Sequence, residues 1–211
     1  MKITVSYISS LYNTKKTIEL INSTSADGIH VDLMDGIYAG KCNFDIDKLG
    51  EVLEGATKPL DIHMMVERPS KYLDKILKLY PDCIYIHPKT ESGTIGILNT
   101  LSIHEVKRGI VINPDENIKD FAHYFPYVDR ILLMSVTPGA GGQKFIDETS
   151  QRLDELINLR ENNNFDIYVD GGINDETIVK IAKADGVISG SFICKSKDFE
   201  NQISKLKSKI A

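Results

Sequence analysis

Three short segments of the chain place histidine and aspartate side chains on predicted β-strands. In Gly28–Gly36 (GIHVDLMDG), His30 and Asp32 are two residues apart, so on a strand both side chains project from one face. Two further segments add His63, in DIHMM, and Asp170, in YVDGG. Two imidazoles and two carboxylates form a ligand set that suits zinc, manganese or ferrous iron. The pattern indicates a divalent metal site, provided that the three strands converge.

Each of the four residues alone is more simply explained as an isolated polar group at a strand end. Four of them on three strands favour the metal site. His87 also ends a predicted strand, but Tyr85 occupies the position two residues before it. We therefore expect His87 to contact a metal ligand or to face a substrate. Met34, Met65 and Met134 lie near strand ends as well, where methionine usually fills the core.

Glycine-rich turns follow the last three predicted strands, at 137–144 (TPGAGGQK), 170–172 (DGG) and 189–191 (SGS). Glycine lets the backbone approach a ligand closely, and loops after the late strands of an α/β barrel often bind phosphate through their N–H groups. Lys144 is the one basic residue that we place near these turns. The pattern therefore predicts a phosphate site made mainly of backbone amides.

The apolar pattern predicts strands that alternate with helices along the whole chain. The predicted strands are 2–8, 28–34, 59–65, 83–87, 107–112, 129–136, 165–170 and 186–190. The predicted helices are 14–23, 46–55, 70–79, 94–103, 116–124, 147–161, 175–183 and 198–209. Thr14 and Ser70 are the candidate N-caps of the first and third helices.

Eight alternating units in 211 residues predict an α/β fold, a (β/α)8 TIM barrel that forms a single domain over residues 1–211. The alternative is a doubly wound open sheet, which normally has a glycine-rich turn after its first strand. Residues 9–13 (SSLYN) contain no glycine. In a barrel, polar residues at the carboxyl ends of the strands share one rim, which we predict to be the active face.

Composition excludes several classes of function. The net charge of −5 and the lack of a basic cluster argue against nucleic-acid binding. No apolar run approaches the roughly 18–20 residues of a membrane span, and the first residues (MKITVSYISS) resemble a strand more than a signal peptide. The three cysteines are scattered singly, which suits a reducing, cytoplasmic location.

Five motifs in the order HVDLMDG, DIHMMVERP, MSVTPGAGGQKF, VDGGIN and SGSFI resemble the ribulose-phosphate 3-epimerase family over nearly the whole chain. The resemblance implies a TIM barrel with one divalent metal ion (Zn, Fe, Mn or Co) bound by His30, Asp32, His63 and Asp170. It also implies that Asp32 and Asp170 are the acid/base pair. It further assigns a substrate- and phosphate-binding set, which consists of Ser6, Gly141, Gly142, Gly171, Gly172, Gly190 and Ser191.

The implied reaction is a metal-dependent 3-epimerisation of ketose phosphates, here D-ribulose 5-phosphate and D-xylulose 5-phosphate. It would proceed by two-Asp proton transfer through an enediolate. The alternative is the allulose-6-phosphate 3-epimerase branch, which residues 57–61 (TKPLD) and 87–90 (HPKT) resemble. After M-D-G the family usually continues H-F-V-P-N, whereas this chain has Ile37–Lys41 (IYAGK), and this departure reshapes a loop beside the site. Val5 and Ala140 also depart from the usual proline and aromatic residue.

Three other functions fit the barrel less well. A Schiff-base aldolase or isomerase needs an inward lysine at a strand end, and the carboxyl ends of the predicted strands contain none. A metal-free decarboxylase leaves the paired histidines unexplained. A non-catalytic phosphosugar-binding protein would not need the metal ligands. We expect the partners of the protein to be a phosphorylated ketose and further copies of the chain in a homo-oligomer, with no nucleic acid and no membrane.

Overall fold

The computed structural model describes residues 1–43 and 45–210 and contains a closed barrel of eight parallel strands. The strands are β1 (Lys2–Ser6), β2 (Gly28–Met34), β3 (Leu60–Met65), β4 (Cys83–Ile86), β5 (Lys107–Ile112), β6 (Arg130–Met134), β7 (Asp166–Asp170) and β8 (Gly186–Ser189). Each strand pairs with its neighbours in chain order, and β8 closes the barrel against β1. The predicted TIM barrel is confirmed, and the open sheet is excluded.

Helices lie between the strands on the outside of the barrel. The α-helices are α1 (Thr14–Asn22), α2 (Leu49–Val52), α3 (Leu73–Leu77), α4 (Thr94–Ile103), α5 (Thr149–Arg160), α6 (Ser191–Cys194) and α7 (Phe199–Ser208). The 3-10 helices are Pro69–Lys71, Pro88–Thr90, Ile118–Tyr127 and Ile178–Ile181. No helix of the described residues is long and apolar enough to cross a membrane.

Several predicted helices are shorter or of a different type. The predicted helix 46–55 is reduced to α2, and helix 70–79 is divided into a 3-10 turn and α3. The segments predicted as 116–124 and 175–183 fold as 3-10 helices. The first of these 3-10 helices extends from Ile118 to Tyr127, and Pro126 inside it lacks the N–H that an α-helix requires. Apolar spacing alone does not distinguish these two kinds of helix.

Both predicted N-caps are wrong. Asn13, one residue before Thr14, caps α1, because its side-chain oxygen accepts a 2.9 Å hydrogen bond from the backbone N–H of Lys16. Ser70 lies inside the 3-10 turn that Pro69 opens, and its hydroxyl donates to Glu91 instead. Asparagine, threonine and serine all accept hydrogen bonds from free N–H groups, so the backbone conformation decides which position caps a helix.

The two faces of the strands have different surroundings. Outward-facing side chains such as Ile29, Val31 and Leu33 are buried against the helices in one large apolar core. Inside the barrel, near the amino ends of the strands, Arg130 forms a 2.9 Å ion pair with Asp61, and both side chains are buried. At the opposite end of the barrel interior, the polar residues at the carboxyl ends of the strands meet.

Candidate active site

The register of the barrel brings the four predicted metal ligands together at the carboxyl ends of the strands. Asp32 on β2 pairs with His63 on β3, and the side chain of His30 lies on the same face of β2. Asp170 ends β7 and approaches from the far side of the barrel. One ligand atom from each of the four residues lies within 4.8 Å of every other one.

The distances within this cluster are those of ligands around one cation. Asp32 Oδ1 lies 3.4 Å from His30 Nε2 and 3.3 Å from His63 Nδ1. Asp170 Oδ2 lies 4.0 and 3.9 Å from the same two nitrogens. Ligands about 2.0–2.1 Å from a tetrahedral Zn²⁺ are separated by about 3.3–3.4 Å. The cluster is slightly wider on the side of Asp170.

Two buried ring nitrogens support the same interpretation. Among the described residues, both ring nitrogens of His30 and Nδ1 of His63 have no hydrogen-bond partner, although both rings are fully buried. Of these, His30 Nε2 and His63 Nδ1 face the two aspartates. A buried polar atom without a partner is unfavourable by about 1–3 kcal/mol. A cation among the four ligands would satisfy both nitrogens, so the donor set fits a divalent metal ion.

The two aspartates have pKa values displaced in opposite directions. Burial acts to raise the pKa of Asp32, but the charge of His30 and the close approach of the His63 ring outweigh it and lower the pKa. Burial raises the pKa of Asp170 to about 7; the charge of His30 opposes this effect, and the negative charge of Asp32 adds to it. Asp32 is therefore the stronger acid of the pair, and Asp170 is the weaker one.

Ser6 holds one oxygen of Asp32. The Ser6 hydroxyl donates a 2.7 Å hydrogen bond to Asp32 Oδ2, whereas Oδ1 faces His30 and His63. The two oxygens of this carboxylate therefore have separate surroundings. The structure places Ser6 in the cavity lining and against a predicted acid/base residue.

His87 contacts a predicted metal ligand. Its Nε2 lies 2.8 Å from His63 Nε2, and its Nδ1 lies 2.8 Å from the hydroxyl of Tyr38 in the loop after β2. Burial lowers the pKa of His87 well below the usual value, and the charge of His63 adds to this effect. His87 was expected either to contact a metal ligand or to face a substrate, and the structure favours contact with the predicted ligand His63.

A cavity of about 560 Å³, including the part open to solvent, joins the aspartates to the glycine-rich loops. Its lining includes the whole predicted substrate- and phosphate-binding set, which is Ser6, Gly141, Gly142, Gly171, Gly172, Gly190 and Ser191. Met65 and Met134, expected as simple core packing, are buried and also line the cavity, whereas Met34 is buried in the barrel outside this lining.

Two of the loop glycines have conformations that other residues avoid. Gly171 has φ +115° and Gly172 has φ +64°. A side chain at Gly171 would collide with that of Val136, and one at Gly172 would lie 2.6 Å from the backbone nitrogen of Phe145. These glycines therefore allow the end of β7 to pack directly on the loop after β6.

Lys195 is a basic residue that the sequence analysis missed. A methyl group on Gly142 would lie 3.5 Å from Lys195 Nζ. The expectation that Lys144 is the one basic residue near the loops is therefore wrong. Lys195 follows Ser191 by four residues, and its backbone N–H donates to the Ser191 carbonyl across the single turn of α6. That i, i+4 spacing was the signal available in the sequence.

The fold and the cluster together define a class of protein, which is a TIM-barrel enzyme with a candidate metal centre at the carboxyl ends of its strands. The pattern of the ribulose-phosphate 3-epimerase family matches residues 2–194, and the chain belongs to this family. It is 37% identical over 204 residues to a ribulose-phosphate 3-epimerase of Helicobacter pylori, covering 94% of this chain and 93% of that protein. It is 35% identical over 187 residues to the Aquifex aeolicus enzyme, covering 87% and 84%. The chain is accordingly a carbohydrate-phosphate epimerase that acts on a ketose phosphate.

Solved structures with the same architecture have low sequence identity. A 3-hexulose-6-phosphate synthase from Salmonella typhimurium aligns with a TM-score of 0.73 at 16% identity, covering 100% of this chain and 98% of that one. A 3-keto-L-gulonate-6-phosphate decarboxylase from Vibrio cholerae aligns with a TM-score of 0.73 at 11% identity, covering 99% and 96%. At such identities the likeness extends to the fold alone.

Proposed function

We propose that the protein is a metal-dependent 3-epimerase that interconverts D-ribulose 5-phosphate and D-xylulose 5-phosphate. The observation that carries this proposal is the pair of carboxylates, Asp32 and Asp170, which reach one cluster from β2 and β7 with pKa values displaced in opposite directions. Paired acids with separated pKa values are the usual arrangement for a base and an acid in one reaction. The names of the relatives support the pentulose phosphate as substrate.

His30, Asp32, His63 and Asp170 would hold the cation. When bound, a divalent cation stabilises the negative charge that develops on the ketone oxygen as the neighbouring carbon loses its proton. A carboxylate with an ordinary pKa of about 4 is a weak base. Stabilisation of the enediolate therefore matters more for the rate than the strength of the base.

Inversion at C3 requires proton transfer on both faces of the enediolate. An ionised Asp32 would take the C3 proton from one face, and a protonated Asp170 would return a proton to the other face. Asp32 then carries the proton and Asp170 is ionised, which is the state that the opposite epimer needs. The pair shares one proton in either state, so its apparent pKa values belong to the pair.

The glycine-rich loops would bind the phosphate, mainly through the backbone N–H groups of the loops after β6 to β8. Gly142 and Ser191 line the cavity on this side, and Lys195 Nζ lies beside Gly142. A phosphate held there would leave the carbon chain of the sugar directed toward Asp32 and Asp170.

A substrate panel tests the proposal against its alternatives. The metal-loaded protein would be assayed with D-ribulose 5-phosphate and D-allulose 6-phosphate, with Asp170→Asn as the inactive control. We expect kcat/KM for the pentulose to be higher by at least about 10-fold, a difference of about 1.4 kcal/mol in transition-state binding. A preference for the hexulose would assign the chain to the allulose-6-phosphate branch, which residues 57–61 and 87–90 resemble. Binding of either sugar without turnover would indicate a phosphosugar-binding protein.

A further inference from the structure

The loop after β2 is connected to the metal cluster by a chain of hydrogen bonds. Asn113 Nδ2 donates to the Tyr38 hydroxyl oxygen at 2.9 Å, and that oxygen lies 2.8 Å from His87 Nδ1. His87 Nε2 lies 2.8 Å from His63 Nε2. The chain thus runs from the loop after β5, through the loop after β2, to a predicted metal ligand.

The direction of these hydrogen bonds follows from the role of His63. Its Nδ1 faces the two aspartates and must carry no proton if it binds a cation, so the proton is on Nε2. Nε2–H then donates to His87 Nε2. Since neutral imidazole has one donor and one acceptor, His87 Nδ1 carries its proton and donates to Tyr38. The Tyr38 oxygen has two lone pairs, and it can accept from both His87 and Asn113.

The outer end of the chain is fixed to the barrel. The backbone N–H of Asn113 donates to Glu116 Oε2 at 2.7 Å, and its carbonyl accepts from Arg152 at 3.0 Å. The Tyr38 and His87 rings also pack together, with centroids 4.5 Å apart. Tyr38 is therefore held from two sides in a loop that otherwise exposes Ile37 by 74%.

We propose that Tyr38 is a positioning residue for the metal site, and that its hydroxyl holds His87, and through it the His63 imidazole, in the orientation that ligation requires. This inference rests on the proposed metal role of His63. Partners of a metal-bound imidazole fix its ring orientation and tautomer, and their loss typically weakens metal binding by about 10–100-fold. Here that partner is itself a histidine, whose ring orientation is set by packing against Tyr38 and by the hydrogen bond at its far nitrogen.

The test is the affinity for Co²⁺, measured by chelator competition on the full chain. We expect His87→Ala to raise the Kd by about 10–100-fold. Tyr38→Phe keeps the ring against His87 and removes only the hydroxyl, so it should raise the Kd by about 3–10-fold, as for one lost hydrogen bond. In the His87→Ala background, Tyr38→Phe should add less than about 2-fold, because the two residues act in series. The visible absorption of bound Co²⁺ should keep its shape in Tyr38→Phe, since all four ligands remain.

Ile37→Ala is the matched control in the same loop. It should leave the Kd within about 2-fold, because the Ile37 side chain is exposed and its truncation removes few contacts. An unchanged Kd in Tyr38→Phe would overturn the proposal, and so would an equal loss in the parent and His87→Ala backgrounds. Asp170→Asn separates this failure from that of the metal role. If Asp170→Asn binds Co²⁺ as tightly as the parent, the metal role of the cluster and the inference both fail. A weakened Asp170→Asn beside an unchanged Tyr38→Phe overturns only the role of Tyr38.

Discussion

Ser6 on β1 donates a 2.7 Å hydrogen bond to Asp32 Oδ2 on the neighbouring strand β2. The other oxygen, Oδ1, lies between His30 and His63. Asp32 can therefore ligate a cation through one oxygen and exchange a proton through the other. Ser6 orients the oxygen that would carry the proton.

Replacing Ser6 with alanine should lower kcat by about 10–100-fold, because a hydrogen bond to a charged group is worth roughly 1.5–3 kcal/mol. Metal content should not change, since Oδ1 and the other three ligands remain. Steady-state kinetics and elemental analysis on the same preparation measure both effects. Ser189→Ala is a suitable control, because this buried hydroxyl at the end of β8 donates to the Ile173 carbonyl. Loss of metal in Ser6→Ala would show that the serine supports ligation instead.

The two-carboxylate mechanism predicts different defects in Asp32→Asn and Asp170→Asn. Each variant, loaded with metal, should fail to epimerise but should still exchange the C3 proton of one epimer with solvent deuterium. The epimer should differ between the two variants, because each retains the base for one face. Mass spectrometry of recovered substrate measures this exchange. Exchange of the same epimer by both variants would require a single mobile base.

The pKa of about 7 for Asp170 predicts how the stability of the metal-free protein changes with pH. A carboxyl whose pKa is raised in the folded state stabilises the fold fully below its ordinary value of about 4, and this contribution is lost as the pH rises to about 7. We expect the free energy of unfolding, relative to Asp170→Asn, to fall by an amount on the order of a few kcal/mol between these limits. Chemical unfolding in the presence of a chelator, at several pH values, measures it.

Bound metal should oppose this loss of stability with rising pH, because a cation binds an ionised carboxylate more tightly than a protonated one. Affinity for the metal should therefore rise up to about pH 7 and then level. A parent protein whose stability relative to Asp170→Asn is flat with pH would contradict the raised pKa.

Substitutions around the phosphate loops should separate backbone from side-chain contributions. Gly190→Ala places a methyl group 3.2 Å from the Ser6 carbonyl at an ordinary φ, so the fold should survive while the loop shifts. We expect it to raise the KM for the sugar phosphate by at least about 10-fold, as for the loss of one charge-assisted hydrogen bond. Lys195→Ala should raise KM by about 2–5-fold, as for one exposed charge pair, and Lys144→Ala by less. If Lys144→Ala raised the KM more than the other two substitutions, this would contradict phosphate binding by backbone amides.

Local sequence determined the fold class and the set of candidate metal ligands of this protein. The two-residue spacing of His30 and Asp32 is sufficient to put both on one face of β2, because strand side chains alternate. The alternation of apolar strands and helices predicts the parallel barrel, and a parallel barrel gathers strand ends at one rim. The set of four candidate ligands was therefore predictable before their distances were known.

Tertiary structure decided what depends on contacts between distant segments. Tyr38 meets His87 49 residues away, and no periodicity in the sequence links a loop to a strand end. The pKa values of Asp32 and Asp170 diverge although both are aspartates in strand-end motifs, because burial and neighbouring charges act through space. The sequence alone thus determines which side chains reach the rim. Packing determines which oxygen of Asp32 is held by Ser6, which carboxyl holds the proton and which loop supports His63.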